Sequence, residues 1–183
     1  DISVEGAHVI PTMSKQLPGT NFEILEVTNT KPGEKPVVTL TVKNDAGTPI
    51  DAATMSRLRI YLAGANSDYT KYFQEDATKA VAQPGPGLYK FTCTNAIPAD
   101  AKGSWTITME GRQSITLNAG TSSAMTINDS GENKQFYFSV DGSPVQPRRK
   151  VAEIAKCNAC HSNLALHGGA RNTVQDCVIC HNP

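Results

Sequence analysis

No run of about 18 apolar residues occurs anywhere in the 183-residue chain, so no helix of it is expected to cross a bilayer. Its first residues, Asp1-Ile2-Ser3-Val4-Glu5, lack the basic and apolar regions of a secretion signal. A leader is expected to have been removed, and the compartment is left open by this feature alone. Charge of one sign is not in excess either: 17 Lys and Arg face 17 Asp and Glu, which argues against nucleic acid as the main partner. Helical periodicity is scarce before residue 140, and a parallel sheet is disfavoured because the crossover helices it needs do not appear. With 39% hydrophobic and 19% charged residues, the composition fits neither a disordered chain nor a membrane-embedded one.

What is present up to about residue 140 is alternation of period two, the mark of half-buried strands. Val38, Leu40 and Val42 alternate with polar neighbours, as do Leu58, Ile60 and Leu62; Tyr89, Phe91 and Cys93; Trp105, Ile107 and Met109; and Phe136, Phe138 and Val140. Weaker strands are expected at 22–28, 114–117 and 124–127, with breaks at Pro32-Gly33, Asp45-Ala46-Gly47 and Asn118-Ala119-Gly120. Residues 68–82 read as a long excursion or a short helix. Seven or eight short strands at this spacing predict a mainly β fold, an antiparallel sandwich or split barrel with Greek-key connections. Cys93 is expected to be a buried, inert thiol and Trp105 a core residue.

The texture changes near residue 146, which divides an antiparallel β-domain (1–146) from a small, mostly irregular segment with short helices (147–183). Val151, Ile154 and Ala155 sit at helical spacing there. From Pro147 onward five basic residues (Arg148, Arg149, Lys150, Lys156, Arg171) meet two acidic ones (Glu153, Asp176), a net +3, so the first 146 residues carry −3. Arg148-Arg149-Lys150 reads first as a solvated face and second as a complement to haem propionates or an acidic redox partner. This segment holds four of the five cysteines and three of the four histidines.

Cys157-Asn158-Ala159-Cys160-His161 and Cys177-Val178-Ile179-Cys180-His181 both fit C-x-x-C-H, the attachment signature of c-type haem. Two cysteines three apart let their sulfurs meet the vinyl groups along one porphyrin edge, while the adjacent histidine points its imidazole at the iron. The rival is zinc, since the pairs also have zinc-ribbon spacing. Zinc held by four thiolates has no use for a histidine after each pair, and histidine is only 4 of 183 residues. A thioredoxin-like redox dithiol is disfavoured because no βαβ pattern surrounds either pair, and a double disulfide would leave both histidines unexplained. Two haem c groups are therefore expected, with iron as the metal, and covalent attachment places the protein outside the cytoplasm.

Bis-histidine iron leaves no open position and suits electron transfer rather than oxygen chemistry. Two such haems need four imidazoles, and the chain has His8, His161, His167 and His181. Six helical residues advance only about 9 Å, so His167 is expected to ligate the haem at Cys177/Cys180 rather than the one already held by His161. His8 either folds back onto the first haem, or ligates a haem in a neighbouring copy to give a head-to-tail filament, or is a surface residue while the missing ligand lies elsewhere. Gly168-Gly169 is either a turn or a place of close cofactor approach, and Arg171 either a surface charge or a propionate partner. Leu164 and Leu166 are expected to line a haem.

The stretch from Cys157 through Leu164-Ala165-Leu166-His167-Gly168-Gly169-Ala170-Arg171, followed by Cys177 to Pro183, resembles the first two haem motifs of the outer-membrane multihaem (decahaem-type) cytochromes of metal-reducing bacteria. The resemblance implies a split-barrel β-domain ahead of the haems. It also implies bis-histidine haems at the extracellular or outer-membrane surface, with a periplasmic location as the alternative, delivering electrons to minerals, shuttles or other cytochromes. The family's Leu-x-x-His-Gly-Gly histidine falls on His167. Family members continue with more haems, so the chain is expected to be a fragment or a small relative that assembles with other cytochromes or with copies of itself. The 37 residues from Pro147 onward hardly cover two haems.

The leading expectation is thus an electron-transfer protein and not an enzyme. One alternative is a haem reductase with the Cys157/Cys160 iron left open. Another is a β-sandwich binding module with a zinc-ribbon tail.

Overall fold

The computed structural model describes residues 10–161 and 163–182. Nine strands are described: β1 (Asn21–Thr28), β2 (Val37–Lys43), β3 (Arg57–Gly64), β4 (Lys71–Asp76), β5 (Val81–Ala82), β6 (Leu88–Thr92), β7 (Ser104–Leu117), β8 (Met125–Ser130) and β9 (Lys134–Ser139). All pairings are antiparallel. One sheet runs β1-β2-β6-β5, the other β4-β3-β7-β8, with β9 also paired to β7. The inward residues of both sheets, among them Val38, Leu40, Leu58, Ile60, Leu62, Ile107 and Met109, form one core and are fully buried. Burial of each such side chain contributes roughly 1.5–3 kcal/mol towards holding the two sheets together.

Three expectations change. Residues 68–82 are not a helix or an irregular excursion but β4, a turn of 3-10 helix at Ala77–Lys79, and β5. Residues 114–117 are not a separate strand; they end the 14-residue β7, whose first part pairs with β3 and β9 and whose last part pairs with β8. Residues 148–153 are not helical; the described helices are α1 (Ile154–His161) and α2 (Val174–Cys180).

The second sheet is buried on both faces over β3 and β7. Tyr61, Ala63, Thr106, Thr108 and Glu110 point away from the sandwich core, yet each is at most 1% exposed. The C-terminal segment covers them: Val178 and Ile179 of α2 pack on Tyr61, Ala63 and Tyr69 as a second, smaller core.

Candidate cofactor site on the outer face of the second sheet

Cys157, Cys160 and His161 lie at positions i, i+3 and i+4 of α1, and these share one helix face. No residue of α1 is buried. At eight residues it is shorter than the length at which isolated helices hold in water.

α2 is built differently. The Thr173 hydroxyl caps its first turn by accepting from the Asp176 amide at 3.4 Å, and the His181 amide closes its end on the Cys177 carbonyl at 3.0 Å. Its inner side is Asp176, Val178 and Ile179, which leaves Cys177 and Cys180 half-buried at the flank and His181 exposed at the end. None of the five cysteines is in a disulfide, and the Cys93 thiol, which is buried, is pushed up to about 12 by that burial and by nearby Glu75.

His167 sits in a tight loop closed by paired backbone bonds between Leu166 and Arg171, 2.8 and 3.2 Å. His167, Gly168 and Gly169 all have positive φ, at 53°, 74° and 88°. That loop faces the end of α2, and the imidazoles of His167 and His181 stand with ring centroids 6.2 Å apart and planes inclined by 35°. Two imidazoles trans on one metal, each nitrogen about 2 Å from it, put their centroids about 6 Å apart. The pair therefore has the spacing of two axial ligands on one iron. His8 lies outside the described residues.

Among the described residues no group of three or more His, Cys, Asp or Glu side chains converges as a metal cage. The two cysteine pairs do not meet, which disfavours the zinc-ribbon alternative. Thiols beside an imidazole, with a second imidazole facing the first at the second motif, are the donor set of a c-type haem.

Beneath α2 lies a buried charged cluster that sequence reasoning did not locate. Arg171 Nε donates to Glu110 Oε2 at 2.7 Å, and Arg57 Nε to Glu110 Oε1 at 2.6 Å. The Arg171 guanidinium lies 5.0 Å from the Tyr61 ring centroid, and Thr108 Oγ1 donates to Asp176 Oδ1 at 2.7 Å. Burial raises the Glu110 carboxyl, but the bonds and charges of Arg171 and Arg57 outweigh it and hold the group below its usual range. Asp176 is pushed up to about 6, first by burial and then by the Glu110 charge, against the lowering bond from Thr108. Arg171 is thus a buried charge rather than a surface one, with its Nη1 3.9 Å from Cys180 Sγ. Arg148 departs from its expected solvated face as well: it is buried, with its guanidinium 5.3 Å from the Tyr69 ring, whereas Arg149 and Lys150 are exposed. Leu164 is half-buried beside the loop and Leu166 is 57% exposed next to His167.

Residues 149–183 match the family model described as outer membrane cytochrome MtrC/MtrF-like, domains II/IV. The chain is 26% identical over 188 residues to the multiheme cytochrome MtrC of Shewanella baltica (strain OS185), covering 93% of this chain and 28% of that protein. Its fold matches the crystal structure of MtrC from Shewanella baltica OS185 with a TM-score of 0.60 at 22% identity, over 89% of this chain and 29% of that one. The outer membrane decaheme cytochrome OmcA matches with a TM-score of 0.59 at 18% identity, over 91% and 30%. The chain spans about three-tenths of the length of the relatives it matches.

Proposed function

We propose that this relative of the outer-membrane multihaem cytochromes carries electrons outside the cytoplasm through two covalently bound c-type haems. In this reading Cys157 and Cys160 anchor the first haem, with His161 as its proximal ligand. Cys177 and Cys180 anchor the second, with His181 proximal and His167 distal. The observation that carries it is the 6.2 Å separation of the His167 and His181 rings, close to what a shared iron requires.

Each haem, when bound, would supply one-electron chemistry. The chain's residues do the rest. The cysteines would fix the haem edge, His181 and His167 would hold the iron at the second site, and α2 is held by Val178, Ile179 and the Arg171–Glu110 pair. Residues 147–183 act as the redox segment and 1–146 as its platform. The exposed α1 and Leu166 suit a module that continues into other cytochromes or into further copies of itself at the outer-membrane surface, with extracellular acceptors at the end of the path. His8 is the proposed distal ligand of the first haem, from the same chain or from a neighbouring copy in a filament.

The test is spectroscopic. Purified holoprotein should show low-spin haem only, and carbon monoxide should not bind the reduced form. His167→Ala should open one iron per chain to carbon monoxide, and His8→Ala the other. A colourless protein, or a native form that binds carbon monoxide at both irons, overturns the reading.

A further inference from the structure

We infer that the β-domain governs axial ligation at the second haem, with Arg112 and Asn128 as positioning residues for His167. The inference rests on the proposed role of His167 as distal ligand. Three consecutive residues of its loop adopt left-handed backbone, and one of them is the histidine itself, a conformation that a residue with a Cβ resists. The loop's own Leu166–Arg171 bonds close it, and contacts from the strands add to that hold.

Arg112 of β7 donates through one Nη1 to both the His167 carbonyl, at 3.2 Å, and the Gly168 carbonyl. Asn128 of β8 donates its Nδ2 to the same Gly168 carbonyl at 2.9 Å. In the β7–β8 register Arg112 faces Ser130 and Asn128 lies two residues before Ser130, so both side chains rise from the same face of the sheet. A Cβ on Gly168 would collide with Arg112 Nη1, in a residue whose φ of 74° already disfavours one. The loop's other end is tied down by Arg171 on Glu110, also from β7. The imidazole therefore stands opposite His181 because side chains 40 to 56 residues upstream grip the carbonyls of His167 and Gly168.

Loss of the grip should leave both haems attached, since no cysteine is touched, while freeing the distal histidine to dissociate. The experiment compares the holoprotein with Arg112→Ala, the double variant Arg112→Ala/Asn128→Ala, Arg112→Lys and Gly168→Ala, with Arg149→Ala as an exposed control. Covalent haem content, high-spin ferric signal and carbon monoxide binding are read for each. The double variant and Gly168→Ala should raise the five-coordinate fraction at one iron by about tenfold or more, the effect of losing a hydrogen bond to a charged group. Added imidazole should restore the low-spin spectrum, which shows that the site itself is still folded. Arg112→Lys should fall between, and Arg149→Ala should match the parent. His167→Ala run in parallel separates the two claims. If it opens no iron, the ligand assignment fails; if it opens one while the double variant and Gly168→Ala stay fully six-coordinate, the assignment stands and the positioning role is overturned.

Discussion

Glu110 and Arg171, 61 residues apart in the chain, meet in a buried ion pair with Nε 2.7 Å from Oε2. The pair joins the middle of β7 to the loop that precedes α2. Its neighbours grade the consequences of breaking it. Arg171→Met leaves Glu110 with Arg57 and the Tyr61 hydroxyl, and leaves the buried Asp176 with the Thr108 hydroxyl but without its nearby cation. Loss of one partner of a buried pair costs about 3–5 kcal/mol, and the surviving Arg57 bond argues for the lower end of that range. The denaturant midpoint should drop accordingly. Limited proteolysis near the 141–153 connection should appear at concentrations of denaturant where the parent is still resistant.

Asn133 and Asn172 form a reciprocal pair on the same seam. The Asn172 amide donates to Asn133 Oδ1 at 2.7 Å, the Asn133 amide to Asn172 Oδ1 at 3.0 Å, and Asn133 Nδ2 to the Ala170 carbonyl at 2.7 Å. Asn133→Ala strands the Ala170 carbonyl and the Asn172 and Thr173 amides at a buried site. A buried polar group left unpaired costs about 1–3 kcal/mol, so a loss of about 2 kcal/mol or more is expected after water enters. Asn133→Asp, which keeps the acceptor, should recover the part due to the two amides. Chemical denaturation of the two variants side by side checks the order.

Glu75 on β4 ties that strand to the loop after β6, accepting from Thr94 Oγ1 at 2.5 Å, from the Asn95 amide at 2.9 Å and from Asn95 Nδ2 at 2.8 Å. Burial raises its carboxyl, but these bonds together prevail and hold it below the usual range. A depressed carboxyl favours the folded state fully above the value of the unfolded chain, about 4.3, and that contribution is lost as pH falls through the lower folded value. Glu75→Gln should therefore flatten part of the acid limb of the stability curve below about pH 4.3 while other carboxylates keep theirs. Urea midpoints measured from about pH 6 down to about pH 3 test it; an unchanged acid limb in the variant sinks it.

The particular residues explain what could be read in advance. β2, β3, β6, β7 and β9 were legible because large apolar side chains alternate with polar ones. β4 was hidden because its inward position is Glu75 beside Phe73, a carboxylate where the pattern calls for a hydrophobe, and only the Thr94 and Asn95 donors make that tolerable. The double burial of β3 and β7 was hidden for the opposite reason. Tyr61, Thr106, Thr108 and Glu110 satisfy an outward position in water as well as they satisfy one beneath α2. The two C-x-x-C-H motifs and the Gly-Gly after His167 stand in the sequence as local signals. Arg112 and Asn128 do not, since their contact with the loop depends on strand register and on a docking surface that only folding assembles.

Cys93 turns cysteine counting into a direct test of the cofactor assignment. The chain has five cysteines, and four of them lie in the two motifs. Cys93 is 1% exposed, and burial pushes its thiol up to about 12, so it should ignore thiol reagents in the native protein at neutral pH. Thioether bonds survive denaturation, whereas zinc thiolates are released when the site unfolds in chelator. Denatured holoprotein should therefore titrate as a single thiol per chain, and mass mapping of the labelled peptide should find the label at Cys93. Three thiols would mean that one of the two motifs carries no haem, and the proposed pair of haems would fail. Five would mean that neither does, and the spacing of His167 and His181 would need a different explanation.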